Sequence, residues 1–305
     1  MKCSTRFLVA AGVGFGLIVL GSRFVELRLF GLWLAGRSPN CPLVRALASA
    51  SHREKLMAEK DRILTETRLL AIDPAGYRHW QTPLGDYWIP DKDPYTLAFN
   101  LAEQVVGIYR STQVRVQPGD VVVDCGANVG VFTRQALMEG ARLVVAVEPA
   151  LENLECLRRN LAKEIEAGRV LLCPKGVWSR EGELRLRVDP RTHAADTFVM
   201  QPPGWQQGPV LPVTTVDRLV QELGLARVDF IKMDIEGAEL EALKGARRTL
   251  RRWRPRLAIS AYHAPDHPIR IPELVRQVRA DYRWRCGPCS ATEDGWIRPD
   301  VLLFH

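Results

Sequence analysis

The sequence predicts an α/β protein built on a doubly wound, mostly parallel sheet, with an apolar N-terminal segment set apart from it. Three observations carry that prediction. From Val116 onward, short β-branched runs alternate with amphipathic helical patterns. The first of these runs, VVVD (121–124), leads into a glycine-containing turn, DCGANVG (124–130). Two later runs also close on acids, Glu148 in AVEP and Asp234 with Glu236 in FIKMDIEG. Buried strands rarely carry carboxylates, so these strand ends read as opening onto a site.

Taken in order, VVVD is a buried strand and a helix starts at Val131. LVVAVEP (143–149) is a second strand, and LENLECLRRNLAKEIEAG is a helix through Leu154, Leu157, Leu161 and Ile165, ended by Gly168. VLLC (170–173) is a third strand, and GVWSREGELRLRV reads as containing a hairpin. TTVDRLVQELG makes a helix, DFIKMD a strand, AELEALKGARRTLRRW a helix and LAISAYH (257–263) another strand. Residues 196–212 lack periodicity and read as a variable loop or lid. Upstream, Ser51 and Glu54 suggest a capping box for a helix carrying Leu56, Ile63, Leu64 and Leu70. The tract 73–94 reads as loops with short strands, and 94–110 as a helix through Leu97, Leu101, Val105 and Ile108. The organisation expected is therefore 1–36 as a hydrophobic anchor, 37–110 as a helical and loop extension, and 111–305 as the main domain.

The chain has 305 residues, enough for one large domain or a domain with an appendage. Its net charge of +7, largely from arginine, fits anionic partners and a simple composition bias equally well. The basic run RRTLRRWRPR (247–256) reads as a solvated helix end before it reads as a lipid contact. Seven cysteines, an odd number, do not resemble a disulfide framework, and Cys125 and Cys173 read as buried thiols. FLVAAGVGFGLIVLG (7–21) is uncharged but short of the roughly 20 residues of a spanning helix. FVELRLFGLWLAG (24–36) reads as an interfacial amphipathic segment. Together, residues 7–36 are expected to anchor the chain at a membrane, and the flanking positive charges lean toward a cytoplasmic body. A signal-like, cleaved segment is the alternative reading of residues 1–36, although no small-x-small site follows the apolar run cleanly.

The turn indicates a cofactor. Gly126 and Gly130 permit a tight turn and close backbone approach, but the pattern is not the dinucleotide G-x-G-x-x-G. Asp124 at the strand end would repel a pyrophosphate and suit a ligand with a cationic head and no phosphate, such as S-adenosylmethionine. Glu148 then sits where an acid accepts both hydroxyls of a ribose.

DCGANVG, AVEP, VTTVDRL and FIKMDIEGAELEALKGA, followed by PRLAISAYHAPD, resemble the FkbM-type S-adenosylmethionine-dependent methyltransferases, over a stretch from about Val105 to the C-terminus. The resemblance implies the seven-stranded class I methyltransferase fold with a final antiparallel strand, for which WIRPDVLLFH is the candidate. It also implies methyl transfer to a hydroxyl of a small molecule, glycan or lipid-linked acceptor. On this footing Asp124, Gly126, Asn128, Gly130, Glu148 and Asp234 are expected to bind the cofactor.

An alcohol must lose its proton during transfer, so a base or a metal is needed nearby. His263 or Glu236 is the expected base, with His263 favoured for its near-neutral ordinary pKa, and Asp234 beside them. A divalent ion held by Asp234, Glu236 and His263 is a competing arrangement, not the preferred one. Glu239 reads as complementing a helix dipole. A zinc set of His263, His267, Cys286 and Cys289 is disfavoured, because such pairs arise easily by chance. A nucleic-acid methyltransferase is also disfavoured: amino-group methylation of bases uses an Asn/Asp-Pro-Pro-aromatic motif where this chain has DIEG. The alternative of another class is a tethered S-adenosylmethionine-binding module without turnover.

Overall fold

The computed structural model describes residues 24–201, 203–292 and 294–305. The larger part of the expected anchor, the run 7–21, lies outside them. Among the described residues no helix is long and apolar enough to cross a membrane. Residues 24–34 are helical and do not stand apart from the domain. Leu29 is buried in the same core cluster as Ile231 and Leu257, while Phe24, Leu27 and Leu34 are exposed.

In the extension a short helix over Leu43–Leu47 precedes helix α1 (Ser49–Glu66), which starts two residues before the expected capping box. Ser51 bonds back to the Ala48 carbonyl instead of capping the helix, and Leu70 belongs to a strand. A three-stranded antiparallel meander follows, over Arg68–Ile72, Arg78–Thr82 and Gly85–Ile89. Helix α2 (Tyr95–Val106) ends at Gly107, whose left-handed φ of +79° lets its N–H reach back to the Glu103 carbonyl. Leu97, Leu101, Ile63 and Tyr87 pack here with Val131 and Cys156 of the main domain, so the two parts share a core.

The main domain has a seven-stranded sheet. Its strands are β1 (Val121–Cys125), β2 (Leu143–Val147), β3 (Val170–Cys173), β4 (Phe230–Met233), β5 (Arg256–Ser260), β6 (Trp284–Cys286) and β7 (Val301–Phe304). The spatial order is β6-β7-β5-β4-β1-β2-β3. Strands β1 to β5 pair in parallel, and β7 runs antiparallel between β5 and β6, as expected of the C-terminal run. Every residue of β1 and β4 is buried, which explains their continuous apolar sequences. The domain's helices include α3 (Val131–Met138), α4 (Leu151–Asn160), α5 (Val216–Glu222), α6 (Glu239–Lys244), α7 (Arg247–Trp253) and α8 (His267–Val278). Each of the two long helices expected over 151–168 and 238–253 is broken in two, the first continuing as a short helix over Ala162–Glu166.

Three details depart from the sequence reading. The strand Gly182–Val188 pairs with Gln206–Thr214 and not within its own run, so the last part of the expected 196–212 loop, from Gln206 on, is strand. The intervening residues keep the loop character and cross the carboxyl ends of the sheet strands. Cys41 and Cys289 form a disulfide across 248 residues of sequence, while Cys125, Cys156, Cys173 and Cys286 are buried free thiols. That bond takes Cys289 out of the zinc set considered with His263, His267 and Cys286.

Candidate active site

A cavity of about 250 Å³ lies beyond the carboxyl ends of β1, β2 and β4. Of the residues singled out in the sequence, Gly126, Asn128, Glu148, Asp234 and Glu236 line it. Asp124, Gly130 and His263 stand behind that lining.

The turn after β1 is built by its glycines and by one strained residue. Gly126 has a φ of +80° and Gly130 of +95°, while Asn128, which is not glycine, is held at +50°. Asn128 N–H donates to Glu148 Oε2 at 2.9 Å, and Ala150 N–H donates to Glu148 Oε1 at 2.9 Å. These bonds fix the carboxylate at the end of β2. Burial outweighs them and pushes the Glu148 carboxyl up to about 7.

Asp124 does not face the ligand space. Its side chain is fully buried, with Oδ2 accepting from Thr133 at 2.7 Å and Oδ1 lying 3.3 Å from Lys232 Nζ. Lys232 also donates to the Gly126 carbonyl at 2.8 Å. The acid expected to meet a cationic cofactor head therefore anchors a lysine that in turn holds the glycine turn. Burial alone would lower the Lys232 pKa; Asp124 and Asp234 reverse that and keep it charged.

At the end of β4 the chain turns sharply, with Glu236 at φ +50° and Gly237 at +96°. Thr197, from the loop over the sheet, donates to the Glu236 carbonyl at 2.5 Å. Asp234 Oδ2 accepts from the Tyr109 hydroxyl at 2.7 Å. The ends of β4 and β5 bring Asp234, Glu236 and His263 together, with one potential ligand atom of each inside 4.8 Å of the others. Burial works against the Asp234 carboxylate, but Lys232 and His263 hold its pKa below the ordinary value. For Glu236, burial wins over His263 and raises the pKa.

His263 Nδ1 lies 2.8 Å from Glu239 Oε1, and His267 Nδ1 lies 3.4 Å from Glu239 Oε2. Glu239 is fully buried, so it supports the histidine ring as well as opening α6; the dipole reading missed this. Burial disfavours an imidazolium at His263, but Glu239 and Glu236 more than reverse it and hold the pKa well above its ordinary value. The near-neutral pKa that favoured His263 as the base is therefore not the one its neighbours impose. Tyr109, Tyr262, Thr197 and Glu103 also border this space, and none was singled out from sequence. Glu103 lies in α2 and Tyr109 just past its end, where an apolar helical context gave no signal of a site.

A doubly wound seven-stranded sheet with this strand order, a glycine turn after β1 and acids closing β2 and β4 defines a methyltransferase-like fold of class I. The chain belongs to the FkbM methyltransferase family: the Methyltransferase FkbM domain matches residues 124–283, over half of its length. It is 29% identical over 161 residues to the 31-O-demethyl-FK506 methyltransferase FkbM of Streptomyces tacrolimicus, covering 43% of this chain and 61% of that protein. It is also 29% identical over 153 residues to the methyltransferase sdnD of Sordaria araneosa, covering 41% of this chain and 59% of that one. The chain thus spans about three-fifths of the length of these curated relatives. Among solved structures it resembles the methyltransferase FkbM of Methylobacillus flagellatus KT, at 24% identity and a TM-score of 0.48, over 71% of this chain and 56% of that one.

Proposed function

We propose that this chain transfers the methyl group of S-adenosylmethionine to a hydroxyl oxygen of a small-molecule, glycan or lipid-linked acceptor. The observation that carries the reading is one shared cavity, bordered by the glycine turn and Glu148 on one side and by Asp234 and Glu236 on the other. The residues present fit the cofactor chemically. Gly126 leaves the main chain uncovered for close approach, and Glu148 Oε2, with one backbone donor, keeps a lone pair for a ribose hydroxyl. Asp234 suits the amino group of the methionine portion. Asp234, whose carboxylate Lys232 and His263 hold below the ordinary pKa, favours a cationic group over an anionic one beside it.

When bound, S-adenosylmethionine supplies an electrophilic methyl group on a ready leaving group. The chain's own part is to align the acceptor oxygen and remove its proton. Glu236 is the base: burial raises its pKa, so its carboxylate holds a proton more tightly than an exposed one would. Glu236 would accept the acceptor's O–H proton, and S-adenosylmethionine held at Gly126 and Glu148 would supply the methyl group that replaces it, with its sulfur as the leaving group. His263, backed by Glu239, sets the position of Glu236. Oxygen as the acceptor atom is supported by the name of the 31-O-demethyl-FK506 methyltransferase, and DIEG at the strand end is not the motif of amino-group methylation of bases. We extend the proposal to a membrane surface on the strength of the apolar run over 7–36, whose described end leaves Phe24, Leu27 and Leu34 exposed.

The test is transfer of labelled methyl from S-adenosylmethionine into fractions of a host lysate. Label is expected in a small-molecule, saccharide or lipid fraction, and is expected to disappear with Glu236→Gln. Label confined to protein or nucleic acid would contradict the reading. Cofactor binding without any transfer would favour the non-catalytic module.

A further inference from the structure

We propose that Asp234, Glu236 and His263 form a binding site for one divalent cation of the magnesium or manganese type. Nε2 of His263 is 3.3 Å from Glu236 Oε2 and 3.6 Å from Asp234 Oδ1. An octahedral ion with ligand distances of about 2.1 Å needs adjacent donors roughly 3 Å apart, close to these two separations, and all three ligand atoms lie within 4.8 Å of one another. Two carboxylate oxygens and one imidazole are a donor set for magnesium or manganese rather than for zinc.

His263 supplies independent support. Its side chain is 2% exposed, and Nε2 faces both carboxylates yet hydrogen-bonds to neither. A proton on Nε2 has no acceptor in line with it. A bare lone pair there faces two carboxylate oxygens. A cation between the three resolves both problems.

The surroundings are arranged as they are around metal ligands. Glu239 Oε1, 2.8 Å from Nδ1, fixes the ring with Nδ1 as donor and Nε2 as ligand. The Tyr109 hydroxyl donates to Asp234 Oδ2 at 2.7 Å, whereas Oδ1 accepts only a long bond from the Tyr262 hydroxyl, at 3.4 Å, and keeps a lone pair on the side of His263 for the ion. Lys232 does not fill the place, because its Nζ is 4.0 Å from Asp234 Oδ2 and is engaged by Asp124 and the Gly126 carbonyl.

The catalytic consequence rests on the methyl-transfer reading of the cavity; the binding of the ion does not. An acceptor hydroxyl on the ion loses its proton more readily, and that proton passes to the second oxygen of Glu236 as the methyl group arrives.

Chelator-stripped full-length protein titrated with manganese, followed by the paramagnetic resonance of the free ion and by calorimetry, tests the proposal. One site per chain is expected, displaced by magnesium and weakened at least about tenfold by Glu236→Gln and by His263→Ala. Thermal melting shows whether each variant folds. Glu239→Gln keeps all three ligands and is expected to weaken manganese by about 10–100-fold. No saturable site in the native chain, or an affinity unchanged in folded Glu236→Gln, overturns the proposal. A parallel titration with S-adenosylmethionine separates the two readings. Cofactor binding without a manganese site overturns the cation alone, whereas a manganese site without cofactor binding supports the cation and overturns the methyl-transfer reading.

Discussion

Gly126 and Asp234 meet through their backbones: a Cβ added to Gly126 would stand 1.9 Å from the Asp234 carbonyl oxygen. Gly126 follows β1 and Asp234 follows β4, and these parallel neighbours run in register with Cys125 opposite Met233. The glycine turn and the acidic strand end are therefore one piece of structure, locked further by Lys232. Gly126→Ala faces both this contact and a φ of +80°. It is expected to lower the unfolding free energy by at least about 2 kcal/mol and to abolish cofactor binding. Denaturant unfolding and calorimetry read the two effects; a midpoint equal to that of the native chain would refute the contact.

Glu148 sets a pH dependence. Its ordinary value is 4.5 and burial raises it to about 7 in the fold. Its protonated form is thus the one the free fold prefers, and that stabilisation is present below pH 4.5 and lost as pH rises through about 7. Ribose recognition needs the ionised form, so cofactor affinity runs the other way. Affinity is expected to rise about tenfold between roughly pH 6 and 8, and Glu148→Gln is expected to flatten the profile at low affinity. A flat native profile would remove Glu148 from the ribose site.

Glu239 lies buried between two histidines, and its removal leaves His263 Nδ1 without its partner. Glu239→Ala is expected to cost about 3–5 kcal/mol of stability, the range for breaking a buried pair by deleting one member. A loss of less than about 1 kcal/mol in urea unfolding would show that the pair is solvated.

The Cys41–Cys289 bond ties the segment behind the N-terminal helix to the hairpin that follows β6. Closing 248 residues corresponds to about 5 kcal/mol of chain entropy at most. Reduction, or Cys41→Ser, is expected to lower the melting temperature while leaving cofactor affinity intact, because neither cysteine borders the cavity. Equal melting with and without reductant would contradict the link.

Local pattern carried much of this architecture. Buried runs such as VVVD and FIKM could only be central parallel strands, and of the acids that follow them Asp234 borders the cavity while Asp124 is buried against Lys232. What stayed hidden depends on distant pairing. The Cys41–Cys289 bond joins segments that no local signal relates, and Gln206–Thr214, with glycine and proline within it, lacks the alternation that marks a strand. Glu239 looked like an ordinary first-turn acid because its burial arises only when α6 packs against α8 and the residues after β5. Asp124 was legible as a strand-end acid but not as the partner of Lys232, since the two sit opposite each other on adjacent strands but 108 residues apart in sequence.

The central claim is that the cavity beyond β1, β2 and β4 holds S-adenosylmethionine, with Glu148 on the ribose. Isothermal titration of the native chain and of Glu148→Ala tests it most directly. The account predicts one site per chain and an affinity at least about tenfold weaker in the variant, since a charged hydrogen-bond acceptor is lost. Absence of binding by the folded native chain, or equal affinity in the two proteins, would contradict it.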